Sequence, residues 1–182
     1  DPDARRAWVQ GGAQLGALDR SAQRFGLATT AGNISYTGVG GLTLGGGMGW
    51  LARRFGLACD NVDAFEVVTA DGSTVRASAS ENSGLFWGLR GGGGNFGVVT
   101  EFEFRLHRIG TAALIANYFY SHADAPAALR RWRDLLVDAP AQATLTAWVG
   151  TSGQWPFLPR ELHDQPMPES VTKGQPIAQL QG

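Results

Sequence analysis

Thirteen of the chain's 26 glycines fall in two short blocks. Seven lie in Gly38-Val-Gly-Gly-Leu-Thr-Leu-Gly-Gly-Gly-Met-Gly49 and six in Gly88-Leu-Arg-Gly-Gly-Gly-Gly-Asn-Phe-Gly97. Glycine at this density opposes ordinary helix and strand, because each one loses the most backbone entropy on folding. A chain carries that cost where φ must be positive or where something must lie directly against the backbone. Two such blocks predict an extended, phosphate-bearing ligand gripped by main-chain N–H groups. They announce a ligand, not a catalytic side chain.

Composition narrows the partners. The 182 residues suffice for one domain and part of a second, and 43% apolar content with six tryptophans supplies a core. Net charge is −1 with no basic stripe, so nucleic acid is not an expected partner. The single cysteine, Cys59, allows no internal disulfide and reads as a small buried hydrophobe. No apolar run reaches about 18 residues, so no membrane span is expected, and a cytoplasmic location is the default. The first residue is Asp1 with no leader pattern before it, which reads as a piece of a longer chain. His107, His122 and His163 show no ligand spacing, so no metal is expected.

Periodicity gives the elements. Arg5–Gln10 reads as a strand closed by Gly11-Gly12. Leu15, Leu18, Ala22 and Phe25 recur at helical spacing, with Gly26 as a left-handed terminator. Residues 27–47 read as glycine-rich loop with at most a short strand at Leu42–Leu44, and residues 48–55 as a brief helix. Phe65–Thr69 and Thr74–Ser78, joined through Asp71-Gly72, make a hairpin. Ser83–Leu89 is one or two helical turns. In the strand after the second block, Val98, Thr100, Phe102, Phe104 and Leu106 point one way and Glu101, Glu103, Arg105 and His107 the other. A strand over 112–120 follows, then a helix with Asp124 as N-cap, Pro126 in its first turn, and a face of Ala128, Leu129, Trp132, Leu135 and Leu136. Thr144–Val149 is a last strand, and the proline-rich remainder reads as irregular. Composition shifts near Ile109-Gly110, which predicts a domain boundary.

Three nucleotide sites compete for the glycines. A P-loop requires a lysine, and the only one, Lys173, lies far away. A Rossmann site finds Gly47-Met-Gly49-Trp-Leu-Ala52 with Asp71 as ribose acid. It lacks the long strand, the long helix and the βαβ crossover. A third site uses both blocks together.

The third carries a family resemblance. Thr37-Gly-Val-Gly-Gly-Leu-Thr-Leu-Gly-Gly-Gly-Met-Gly-Trp-Leu51, Gly56-Leu-Ala-Cys-Asp-Asn61, Glu66-Val-Val-Thr-Ala-Asp-Gly72 and Leu85-Phe-Trp-Gly-Leu-Arg-Gly-Gly-Gly-Gly-Asn-Phe-Gly-Val-Val-Thr100 resemble, in that order, the berberine bridge enzyme-like FAD-linked oxidases of the vanillyl-alcohol oxidase type. The resemblance covers about residues 2–160. It implies an α+β chain, truncated at both ends. The second part of an FAD-binding domain would occupy 1–109, the start of an α+β substrate domain 110–160, and an irregular tail 161–182. The implied cofactor is FAD, and the implied parent enzyme passes a hydride from an alcohol, sugar or amine to flavin and electrons on to molecular oxygen. Against this stands a non-catalytic piece that binds FAD weakly or not at all, and against both a nicotinamide-dependent dehydrogenase.

The residues assigned to the cofactor are Thr37, Gly38, Gly40, Gly41, Gly45, Gly46, Gly47 and Gly49, with Gly97, Val98 and Val99 near the adenosine half. A helix beginning at Met48 is expected to add N–H donors, and a side chain at Gly47 to occupy space the cofactor needs. The family's flavin-linking histidine loop has no counterpart here, and no catalytic side chain is assigned. Trp50 and Trp87 are expected in the core, Glu101, Glu103 and Arg105 on a solvated strand face. Gly84 and Gly88 replace the family's Asp and Ala, which is expected to loosen that helix.

Overall fold

Strand β5, Val98–Arg105, is the centre around which the first part of the chain assembles, as seen in a computed structural model describing residues 1–151 and 176–181. It lies between β1 (Arg6–Gln10) and β3 (Val62–Val68), and β4 (Thr74–Ser78) closes an antiparallel sheet of order β1-β5-β3-β4. One face buries Val9, Phe65, Val67, Ala77, Val99, Phe102 and Phe104. Phe65 and Phe102 meet edge-to-face at 5.5 Å, and Phe102 and Phe104 stack at 5.9 Å. Burying each such ring stabilises by about 1.5–3 kcal/mol.

The alternation of β5 breaks where the sequence shows no sign of it. Glu66 pairs with Glu101 but Val67 pairs with Val99, leaving Thr100 as a bulge residue opposite β3. Val99 therefore turns into the core while Val98 is 69% exposed, the reverse of the expected facing. Thr100 also leaves the core side; its hydroxyl donates to Glu66 Oε1 at 2.6 Å. Beyond the bulge, Phe102, Phe104 and Leu106 face inward as predicted.

The polar face of the sheet is laced by ion pairs. Arg6 bonds Asp63 at 2.6 Å, Arg76 bonds Glu103 at 2.7 Å, and Arg105 also bonds Asp63. At partly exposed positions each pair contributes at most about 1 kcal/mol, so the apolar face holds the sheet.

Helix α1, Leu15–Gln23, buries Leu15, Leu18 and Ala22, and Gly26 follows at φ +66°. Phe25, expected on the buried face, is exposed because the helix has already ended. Strand β2 (Leu27–Ala28) pairs with β6 (His107–Arg108). The hairpin forms as predicted, with Val68 opposite Thr74 and Gly72 at φ +82°. Of the helices between β2 and β5, α2 spans Val39–Leu44, α3 Ala52–Phe55 and α4 Ser83–Leu89, and a 3-10 turn covers Ala58–Asn61.

The chain divides into two compact units, Asp1–Ala112 and Ala113–Gly182. In the second, β7 (Asn117–Ser121) begins later than the expected 112. Helix α5, Ala125–Asp138, turns Ala125 and Ala128 inward and leaves Leu135 exposed, against expectation. Asp124 precedes α5, but its carboxylate accepts from Ser121 Oγ at 2.6 Å instead of capping helix amides. Strand β8 covers Thr146–Thr151. Part of the stretch read as an irregular tail is ordered: Pro176–Gln181 forms β9, the middle strand of the sheet β7-β9-β8. Residues 152–175 and 182, including His163 and Lys173, lie outside the described residues.

Candidate functional site

Residues 35–39, which lead into the first glycine block, are fastened to the start of α1 and the residues just before it. Leu15 N donates to Thr37 O at 2.9 Å, Gly16 N to Ser35 O at 2.8 Å, and Val39 N to Ala13 O at 2.8 Å. The expected strand at Leu42–Leu44 is instead the second half of α2. Its two glycines weaken helix locally, but Val39 and Thr43 are fully buried and Leu42 and Leu44 pack on the core. Tertiary burial outweighs propensity here.

What a Cβ would meet divides the block. At Gly40 it would lie 2.8 Å from Gly11 O, and at Gly49 it would collide with Ala31 O. Gly46 and Gly47 sit at φ +104° and +79°, and a Cβ at Gly47 would lie 2.6 Å from the Ala58 Cβ. Gly40 and Gly49 thus admit the chain's own backbone, Gly47 admits the Ala58 side chain, and Gly46 is required by its positive φ. The space expected to belong to a cofactor at Gly47 belongs to Ala58. At Gly97, φ +141°, a Cβ would lie 2.5 Å from Val68 O, so that glycine serves entry into β5.

Gly38 and Gly41 differ. Among the described residues nothing lies within 4 Å of either Cβ position, and both glycines are exposed. Among the described residues no main-chain carbonyl outside α2 accepts from the Gly40 or Gly41 amides, and the first turn of a helix has no internal acceptor for them. Thr37 is half-buried beside them, and exposed Gly45 ends α2. Of the assigned residues, Thr37, Gly38, Gly41, Gly45 and Val98 thus present surface, whereas Gly40, Gly46, Gly47, Gly49, Gly97 and buried Val99 serve the fold.

Met48 does not begin a helix. It is exposed in irregular backbone, and α3 starts at Ala52 and lasts one turn before Gly56 at φ +81°. Donors expected from a helix end at Met48 are therefore absent. Trp50 is 42% exposed and Trp87 79%, so neither is core.

The turn after α3 receives the glycine block. Ala58 N donates to Gly47 O at 2.8 Å and Cys59 N to Gly46 O at 2.9 Å. Asp60 Oδ2 accepts from Leu57 N, while Arg90 donates to Asp60 Oδ1 at 2.8 Å and to Cys59 O at 3.1 Å. Arg90 thereby ties the second glycine block to the same turn, and Gly93 N donates to Leu44 O at 2.9 Å. Phe96 lies over Gly88 and Gly92, leaving no room for a Cβ at Gly88. The expected loosening of α4 there is instead a ring seat. Cys59 is buried, and burial, followed by the Asp60 charge, pushes its thiol up.

His107, expected on a polar face, lies flat on Phe55 at 3.8 Å, its Nε2 2.7 Å from Asn61 Oδ1. Burial, then Arg105, Arg5 and Arg54, holds its pKa below the ordinary histidine range. The Asn61 partner was missed because it lies 46 residues away in the sequence. Asp71, the acid a Rossmann site would need, is engaged by its own turn. It accepts from Thr69 Oγ1 at 2.6 Å and from the Ser73 amide and hydroxyl, which keeps its carboxyl below the usual range. With β3 and β4 antiparallel, no βαβ unit exists around it. Among the described residues no group of His, Cys, Asp or Glu is arranged for a metal, and no helix is long and apolar enough to cross a membrane.

Comparison with known proteins shows what the chain is similar to. Residues 1–78 match the FAD binding domain family. An FAD-linked oxidoreductase of Aspergillus terreus is 47% identical over 110 residues, 60% of this chain and 22% of that protein. A xylooligosaccharide oxidase of Thermothelomyces thermophilus is 44% identical over 106 residues, 58% and 21% of the two. Among solved structures, a 6-hydroxy-D-nicotine oxidase from Arthrobacter nicotinovorans superposes with a TM-score of 0.80 at 30% identity, covering 99% of this chain and 36% of that one. A berberine bridge enzyme-like protein of Arabidopsis thaliana gives 0.78 at 27% identity, over 100% and 34%. The chain is similar, over part of their length, to berberine bridge enzyme-like FAD-linked oxidoreductases. It is a mixed α+β segment matching part of their FAD-binding domain, and the cofactor of that domain family is FAD. It spans between about a fifth and a third of the length of the relatives named.

Proposed function

We propose that this chain binds FAD across the bare backbone of Gly38 and Gly41, as part of an oxidase acting on a small alcohol, sugar or amine with molecular oxygen as electron acceptor. The observation that carries the reading is the open space in front of these two glycines, in a block where the chain itself fills the space at Gly40, Gly47 and Gly49. The exposed face of Thr37, Gly38, Gly41 and Gly45 would take the pyrophosphate and the chain beside it through main-chain N–H groups. Exposed Val98 would support the adenosine half. Bound there, the flavin supplies hydride acceptance; the protein's own residues place it and shape its surroundings. Residues from about 110 onward, with β7, α5 and β8, would begin a substrate domain. The substrate class rests on the oligosaccharide and nicotine oxidases among the relatives.

The test is FAD titration by flavin fluorescence of wild type and Gly41→Val. A branched side chain at an exposed helical position with nothing within 4 Å leaves the fold intact and obstructs the open face. At least tenfold weaker binding with an unchanged circular dichroism spectrum is expected; equal affinity would sink the reading. The oxidase part of the reading is tested by FAD-dependent peroxide formation with sugars, alcohols or amines, and no peroxide from the FAD-loaded protein would count against it.

A further inference from the structure

We infer that Asn61 and His107 are positioning residues that hold the Gly46–Gly47 turn of the cofactor site in place, an assignment that rests on the FAD reading above. Asn61 is 1% exposed and spends its whole amide. Its Nδ2 donates to Phe55 O at 3.0 Å and to Leu57 O at 2.7 Å, the two carbonyls flanking Gly56. Both amide hydrogens being used, Oδ1 is the acceptor toward His107 Nε2 at 2.7 Å, so the histidine carries its proton on Nε2. The His107 ring stacks on Phe55 with an interplanar angle of 8°, and the Arg54 guanidinium lies over the same phenylalanine at 4.8 Å. The segment from Phe55 to Asn61 is thus gripped at its carbonyls by one side chain and at its first aromatic ring by the other.

That segment is what Gly46 and Gly47 lean on. Their carbonyls accept from Cys59 N and Ala58 N, and Ala58 fills the space in front of Gly47. Two successive glycines at positive φ have many alternative conformations, so their single observed one must be imposed from outside. The frame runs from β6 through His107 to Asn61, through the turn, to the glycines that end α2. Neither residue touches the open face at Gly38 and Gly41, so each acts through the backbone it holds.

The experiment compares His107→Phe, which keeps a stacking ring and loses the donor, with His107→Gln, which supplies an amide donor without the ring. Amide exchange by NMR in the absence of FAD and FAD affinity by fluorescence are the two readouts. In His107→Phe the Ala58 and Cys59 amides should exchange at least tenfold faster while the Val67 amide in β3 is unchanged, and FAD should bind at least fivefold more weakly. His107→Gln should restore both toward wild type. Unchanged exchange and affinity in His107→Phe would overturn the assignment. So would faster exchange spread equally through β3 and β5, which marks a general loss of stability. Asn61→Asp, unable to donate to either carbonyl, should reproduce the His107→Phe pattern, and failure to do so counts against the assignment equally. A wild-type chain without affinity for FAD would overturn the binding reading, and the exchange data alone would then decide whether the pair holds the turn.

Discussion

Replacing Gly47 by alanine separates glycines that serve the fold from those that serve a ligand. A non-glycine residue at φ +79° costs about 1–2 kcal/mol. The added Cβ would stand 2.6 Å from the Ala58 Cβ and 3.2 Å from Leu42 Cγ. Ala58 is buried and its amide is bonded to Gly47 O, so it has little freedom to retreat. Overpacking of this kind costs about 1–3 kcal/mol, and together the two effects amount to about 2–5 kcal/mol. For a unit of this size 1 kcal/mol moves the melting temperature by about 4–8 °C, so a fall of at least about 8 °C is expected. The assay is thermal unfolding by circular dichroism without FAD, beside Gly41→Ala as control. At Gly41 the new methyl meets nothing within 4 Å and improves helix propensity, contributing up to about 1 kcal/mol. Gly41→Ala should therefore melt at or above wild type. If Gly47→Ala melts within about 2 °C of wild type, the assignment of Gly47 to the fold fails.

Ligand linkage gives a further test: FAD at 100 times its Kd should add about 2.7 kcal/mol to wild type, and Gly41→Val, binding at least tenfold more weakly, should lose at least about half of that gain at the same concentration. Phe102→Ala, at a fully buried ring in contact with Phe65 and Phe104, should cost about 3–5 kcal/mol in urea unfolding; a loss below 1 kcal/mol would contradict the packing described. For His107, burial first and then Arg105, Arg5 and Arg54 depress the folded-state pKa below that of the unfolded chain, near 6.5. Between the two values the unfolded state binds more protons, so the stability contribution is complete above about pH 7 and is lost as pH falls through that window. The urea midpoint should drop from pH 7.5 to 5.5 by more in wild type than in His107→Gln, and an equal drop would refute the shift.

Local sequence determined the elements whose signals are local. The Asp71-Gly72 hairpin, the terminator at Gly26 and the inward phenylalanines of β5 follow from turn chemistry and period-2 alternation, and burial then agrees with both. The motif order likewise disclosed the FAD binding domain family. Tertiary structure decided what depends on distant partners. The bulge at Thr100, which turns Val98 outward and Val99 inward, comes from registering β5 against β3. Leu42–Leu44 is helical because its apolar side chains and Val39 have a core to enter. The Asn61–His107 pair exists only because β6 returns beside the turn after α3. Most of all, seven glycines identical in sequence divide by their surroundings: some face Gly11, Ala31 or Ala58, while Gly38 and Gly41 face open space. A residue without a side chain carries no record of what it will lie against, so only the packed fold could distinguish room for the chain itself from room for a cofactor.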